Sequence, residues 1–292
     1  MKSQTITDEQ REFVLKKVSL MRNRLYRHVC PIFDVNEKGE LSQYGSSVLL
    51  KIDTKYFLIT AAHVIAPSKR SIQYLWGASG EVPLKSMVQG SIHITSSSLD
   101  DHNDDKVDLA HVQLLDDAPT ILNQFSFLNI RDIELTDLVS ETKTYITIGY
   151  PLSLTKPRYK QPILDQRYLF HMSGIANESI YKELNVPYQA YLAVIYDRNK
   201  VVDSSGYYKK APYPKGISGG GILAFPNKPP SDIESEIGKL VGIVLAYQAA
   251  NNIILGIKIP VALEMIRLAH PELTVEIPKS DLLRVIVKNI KQ

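Results

Sequence analysis

One cysteine stands in the 292 residues, Cys30, so no disulfide can form within the chain. Proteins of oxidising compartments commonly carry several, and the single thiol therefore predicts a cytoplasmic protein. Long apolar runs are also missing. No stretch approaches the roughly 18 consecutive apolar residues that cross a bilayer, and Met1-Lys2-Ser3-Gln4 leads into charged sequence, not into the apolar core of a secretion signal. Charge of one sign is scarce. With 34 basic and 31 acidic residues the net charge is +3, a field too weak to gather nucleic acid or a membrane surface, and neither is expected as a partner.

Metal-binding patterns are equally thin. One cysteine excludes a cysteine-rich zinc site, and His102 and His111 show no ligand spacing with His63. The acidic run at residues 100–105 lacks the glycine and closing glutamate of a calcium loop and reads as a solvated turn. Tyr207-Tyr208-Lys209-Lys210 is too short for a nucleic-acid platform. No metal and no cofactor is expected. Cys30, between Val29 and Pro31, reads as a small buried residue at a strand start.

Hydrophobic residues make up 44% of the chain, enough for one large core or two modest ones. Thr7 and Gln10 have the spacing of a capping box, and Val14, Val18, Met21 and Leu25 follow on one helical stripe, predicting a helix over residues 8–27. From Val29 the pattern changes to short runs rich in Val, Ile, Leu and aromatics. Strands are predicted at 29–33, 46–52, 55–60, 92–95, 109–114, 144–149, 167–172, 188–196, 221–225, 240–246 and 253–258. Many short strands joined by irregular loops argue an all-β barrel or sandwich. Pro260 and Pro271 bracket a second helix, and Leu273, Val275 and Ile277 alternate as a strand would. The divisions expected are a helical segment over 1–28, a first barrel over 29–137, a second barrel with its helix over 138–270, and a tail over 271–292.

Gly216-Ile217-Ser218-Gly219-Gly220 is where chemistry enters. Glycines on both sides of a serine let the backbone turn tightly and aim its amide hydrogens at a substrate oxygen. Upstream lie Thr60-Ala61-Ala62-His63, directly after an apolar strand, and Val107-Asp108-Leu109-Ala110. A serine hydroxyl is a weak nucleophile that needs a base, and histidine, with an ordinary pKa of about 6.5, is suited to be one. An aspartate on the other ring nitrogen fixes the tautomer and steadies the imidazolium.

In this order, the three motifs resemble those of the trypsin/chymotrypsin-like serine proteases, and most closely the compact bacterial peptidases related to the HtrA protease domain. The resemblance runs from about Val29 to Leu268. It implies two packed six-stranded Greek-key β-barrels with a helix at either end, and a serine endopeptidase acting on a protein or peptide substrate. His63 would be the base, Asp108 its orienter and Ser218 the nucleophile, with the backbone N–H groups of Gly216 and Ser218 as the oxyanion hole. By family position, Pro212 falls at the floor of the primary pocket and Leu245, Ala246 and Tyr247 on a wall. None of these is a carboxylate, which suggests a small or apolar side chain before the scissile bond.

Ile217 departs from the family's zymogen enzymes, which carry aspartate before the serine to pair with a newly cut N-terminus. Activation by such a cut is not expected, and a separately encoded regulatory partner is one alternative means of control. The rival reading is a catalytically silent protease-fold module that acts through protein–protein interaction.

Overall fold

The computed structural model describes residues 19, 21–22, 24–35, 41–65, 73–76, 85–87, 90–95, 106–135, 143–157, 164–202, 208–226 and 238–290. The first sheet is built from β1 (Val29–Val35), β2 (Leu41–Ile52), β3 (Lys55–Ala61), β4 (Gln73–Trp76), β5 (Lys85–Met87), β6 (Gly90–Ile94), β7 (Leu109–Leu114) and β8 (Leu128–Asn129). Its order is β5-β4-β1-β2-β3-β7-β6, with the two-residue β8 added parallel to β2. Six antiparallel strands form its body, and β5 and β8 are short additions.

The second sheet follows from Lys143 onward. Its strands are β9 (Lys143–Gly149), then, past the small pair β10 (Thr155–Pro157) and β11 (Leu164–Gln166), β12 (Leu169–Ser173) and β13 (Tyr191–Ile195). Beyond a second small pair, β14 (Val201–Val202) and β15 (Tyr208–Lys209), come β16 (Gly221–Pro226), β17 (Lys239–Gln248) and β18 (Ile253–Lys258). The six strands run in the order β12-β9-β16-β17-β18-β13, all antiparallel. All six residues of β18 are buried, as its nearly unbroken apolar run requires. The two sheets make a double β-barrel, the architecture expected from the sequence.

Local chemistry explains the differences from the predicted elements. The strand predicted at 46–52 begins at Leu41, because a bulge between Ile32 and Phe33 keeps Gln43 and Gly45 in register with β1. The tail after Pro271 is a series of turns, not a strand: a 3-10 turn, Pro271–Leu273, runs into further turns. Ile277 donates its N–H to the Leu273 carbonyl at 3.1 Å, so Leu273 and Ile277 are buried four residues apart while Val275 is 90% exposed. A further helix, Leu282–Ile290, follows. The predicted helix between the two prolines spans Ile259–Ala269.

Of the predicted N-terminal helix, only residues from Ser19 onward fall within the described part. Met21 and Leu25 enter the core from it. Arg22 donates from Nε to the Tyr168 hydroxyl at 3.0 Å, and Tyr26 stacks on the Tyr168 ring with centroids 5.4 Å apart. This leading segment therefore touches the chain just ahead of β12 in the second sheet. Cys30 is fully buried, and burial pushes its thiol up to about 12.

Candidate active site

The strand β3 ends at Ala61 and turns at once into the short helix Ala62–Ile65. Ala62, Val64 and Ile65 are buried, which fixes the helix and leaves His63 at the surface with a side chain 40% exposed. Asp108 lies immediately before β7, in the left-handed region at φ 43°, a conformation that aspartate tolerates better than most residues. That turn aims its carboxylate back at the helix. Oδ1 accepts the backbone N–H of His63 at 3.0 Å and Oδ2 lies 2.7 Å from His63 Nδ1. The Asp108 carbonyl accepts the N–H of Ala62 at 2.9 Å. One aspartate thus holds the histidine by backbone and by ring. A carboxylate only accepts, so Nδ1 carries a proton toward Asp108 and Nε2 is left to face another partner.

The serine loop is shaped by where its amides point. Ile217 donates to the Pro214 carbonyl at 3.1 Å, Gly219 to Val244 at 2.7 Å and Gly220 to Ile217 at 2.8 Å. The N–H groups of Gly216 and Ser218 have no protein acceptor among the described residues. Gly216 (φ 96°) and Gly219 (φ 85°) both adopt the left-handed turn. Gly219 is further constrained by space, since a Cβ there would lie 1.9 Å from the Ser46 carbonyl oxygen and 2.1 Å from Thr60 Oγ1. Ile217 is 1% exposed and packs with Leu192, Ile222 and Val244 in the second apolar cluster.

Ser46 joins the serine loop to the first barrel. Its N–H donates to the Ser218 carbonyl at 2.7 Å, and its Oγ donates to the Gly216 carbonyl at 3.0 Å. The same Oγ accepts the N–H of Tyr150 at 2.8 Å, and the Ser46 carbonyl accepts Thr60 Oγ1 at 2.7 Å. Gln43 adds a bond from Nε2 to the Tyr150 carbonyl. Gly45 explains how closely the halves meet: a Cβ there would sit 2.6 Å from both Val64 methyls and 3.0 Å from the Ser218 carbonyl oxygen. The helix bearing His63 and the loop bearing Ser218 therefore share one neighbour in β2. Ser218 Oγ makes no hydrogen bond with the His63 ring among the described residues.

Of the residues predicted to line a pocket, Pro212 and Tyr247 belong to one aromatic group. Tyr196 donates from its hydroxyl to the Pro212 carbonyl at 2.8 Å, and Tyr247 meets the rings of Tyr196 and Tyr213 edge-on at 5.7 and 5.8 Å. The Arg198 guanidinium lies 5.0 Å over Tyr213. Ala246 is half-buried. Leu245, the residue at the bulge of β17 against β18, is 4% exposed and packs in the core.

No protein-family model and no curated protein matches the sequence. Solved structures do match in shape. One described as "Structure of GrC" superposes with a TM-score of 0.51 at 10% identity, covering 86% of this chain and 95% of that one. The fold is that of the trypsin/chymotrypsin-like serine proteases. A thermostable serine protease, AL20, from an extremophilic microorganism aligns over 80% of this chain and 91% of its own, with a TM-score of 0.46 at 12% identity. Within the protease fold, sequence reasoning passed over Ser46, Thr60 and Gln43, because a polar residue inside a strand carries no local mark of its partners.

Proposed function

We propose that this protein is a serine endopeptidase in which Ser218 attacks the scissile carbonyl. His63 Nε2 takes the hydroxyl proton as the Oγ–C bond forms, and the N–H groups of Gly216 and Ser218 receive the negative oxygen. Collapse of the tetrahedral intermediate breaks the C–N bond and returns the proton to the leaving amine, giving an acyl-enzyme that water then cleaves by the same route. Asp108 keeps the ring in the tautomer this requires. The observation that carries the reading is the two-point hold of Asp108 on His63.

The substrate is a protein or peptide lying extended between the barrels, with a small or apolar side chain before the cleaved bond. The single buried thiol supports a cytoplasmic site of action. Ile217, packed in the core, sets the serine loop without an ion pair to a cut N-terminus.

The missing Ser218–His63 hydrogen bond favours a second reading, a binding module that keeps the fold without turnover. A fluorophosphonate probe separates the two. The hydrolase reading expects covalent labelling of Ser218, abolished in Ser218→Ala. Labelling of another serine with Ser218 untouched would sink the assignment, and no labelling at all would favour the binding module.

A further inference from the structure

We propose that His93, His111 and His270 form a zinc site that ties the first barrel to the end of the helix Ile259–Ala269. Residues 93 and 111 are cross-strand partners on β6 and β7, and residue 270 caps the helix that follows the second sheet. Each ring offers one nitrogen to a group whose members all lie within 4.8 Å of one another. His111 Nε2 and His270 Nε2 are 3.3 Å apart. Two imidazole nitrogens on one tetrahedral zinc, each about 2.05 Å from the ion, stand about 3.3 Å apart. That pair is already at ligand spacing.

The surroundings fit a metal better than a plain aromatic stack. His111 is 1% exposed and His270 6%. The remaining nitrogen of His111, Nδ1, has no hydrogen-bond partner among the described residues. Among the described residues the ring's polar contact is therefore another imidazole, a weak return for burying two ring nitrogens. Phe57 stands edge-on to both rings at 6.0 and 5.3 Å and dries the inner side. His93 stacks on His111 at 4.7 Å and is only half-buried, which leaves the ion a way in.

Glu272 completes the arrangement. Its Oε1 lies 3.8 Å from His270 Nδ1 and is held in turn by Lys55. A carboxylate facing the far nitrogen of a metal-bound histidine fixes its orientation and raises its basicity. Three neutral imidazoles with no thiolate suit zinc among the common ions, with water as fourth ligand. The residues stand 93, 111 and 270 along the chain, so no spacing in the sequence announces them.

The untagged full-length chain, stripped with EDTA and dialysed, is the sample to use. Wild-type protein should take up about one zinc per chain by mass spectrometry of the eluted metal. Its thermal midpoint should rise by several degrees when zinc is added at 100 times its dissociation constant. His270→Asn and His111→Asn should lose both effects, while His63→Ala keeps them. Should the buried substitutions fail to fold, His93→Gln at the half-exposed position gives the same comparison. A wild-type protein that takes up no zinc at micromolar free metal would overturn the site. So would uptake that persists in His93→Gln or disappears in His63→Ala. None of these results bears on the hydrolase reading, which involves no metal.

Discussion

The backbone N–H of Ser46 donates to the carbonyl of Ser218 at 2.7 Å, so a strand of the first barrel holds the serine loop of the second. The side chain of Ser46 adds two more bonds, one to Gly216 and one from Tyr150. Ser46 itself is fully closed to solvent, and Tyr150 nearly so. Ser46→Ala keeps the backbone bond but strands a buried N–H and a buried carbonyl, each worth about 1–3 kcal/mol. Its urea midpoint should fall accordingly. Turnover of a peptide substrate should drop more than KM rises, because the loop that carries the nucleophile loosens while the binding cleft does not.

Asp108→Asn tests the histidine tautomer. An amide in place of the carboxylate can present its NH2 to Nδ1, which puts the ring proton on the wrong nitrogen. Peptide hydrolysis should fall by about four powers of ten in kcat with the circular dichroism spectrum unchanged. A loss of tenfold or less would mean that Asp108 does not orient a catalytic base.

Gly219→Ala should be among the costlier single changes in the chain. The residue sits at φ 85°, and the new methyl would meet the Ser46 carbonyl oxygen at 1.9 Å. Backbone there cannot swing aside as a side chain does. Strain and clash together should remove about 3 kcal/mol or more, read as a lower urea midpoint.

Acid should unfold the protein in two stages. Burial holds His28 and His171 below their ordinary 6.5, so the unfolded chain takes up protons first as pH falls through that value. Stability is full above it and declines below. Glu264 is held below its ordinary 4.5, first by the hydrogen bonds of Arg267, and its contribution is lost only as pH falls beneath that range. His171→Phe keeps a ring against Tyr196, which meets it edge-on at 4.7 Å. It should flatten the decline between about pH 7 and pH 5 and leave the lower stage alone. Arg267→Gln should do the reverse, as followed by urea midpoints across the range.

What the sequence made legible was local. His63 and Asp108 stand 45 residues apart, yet each lies beside a strand whose apolar run marks its end, so their roles could be read from short motifs. Gly216 and Gly219 announced the tight turn around Ser218 in the same way. Contacts between distant segments left no such mark. Ser46 looks like any serine in a strand, and its four hydrogen-bond partners come from β3, from the end of β9 and from the serine loop. The histidines at 93, 111 and 270 meet only because β6 pairs with β7 and a helix ends above them. The tail misled for a different reason. Apolar residues at 273, 275 and 277 satisfy a two-residue period, while 273 and 277 alone also satisfy a four-residue one, and only packing separates the two.

The contact of Arg22 and Tyr26 with Tyr168 sets an order in time. Residue 22 is made 146 residues before its partner, so this contact cannot help the first barrel to fold while that barrel alone has been synthesised. It closes a very long loop, and the entropy of that closure is recovered only after both barrels are in place. Such a clasp acts as a latch on the finished molecule. Tyr168→Ala should therefore quicken unfolding while leaving the refolding rate nearly unchanged, a split that the two arms of a denaturant chevron would display. How long the native molecule survives, more than how readily it forms, rests on that ring.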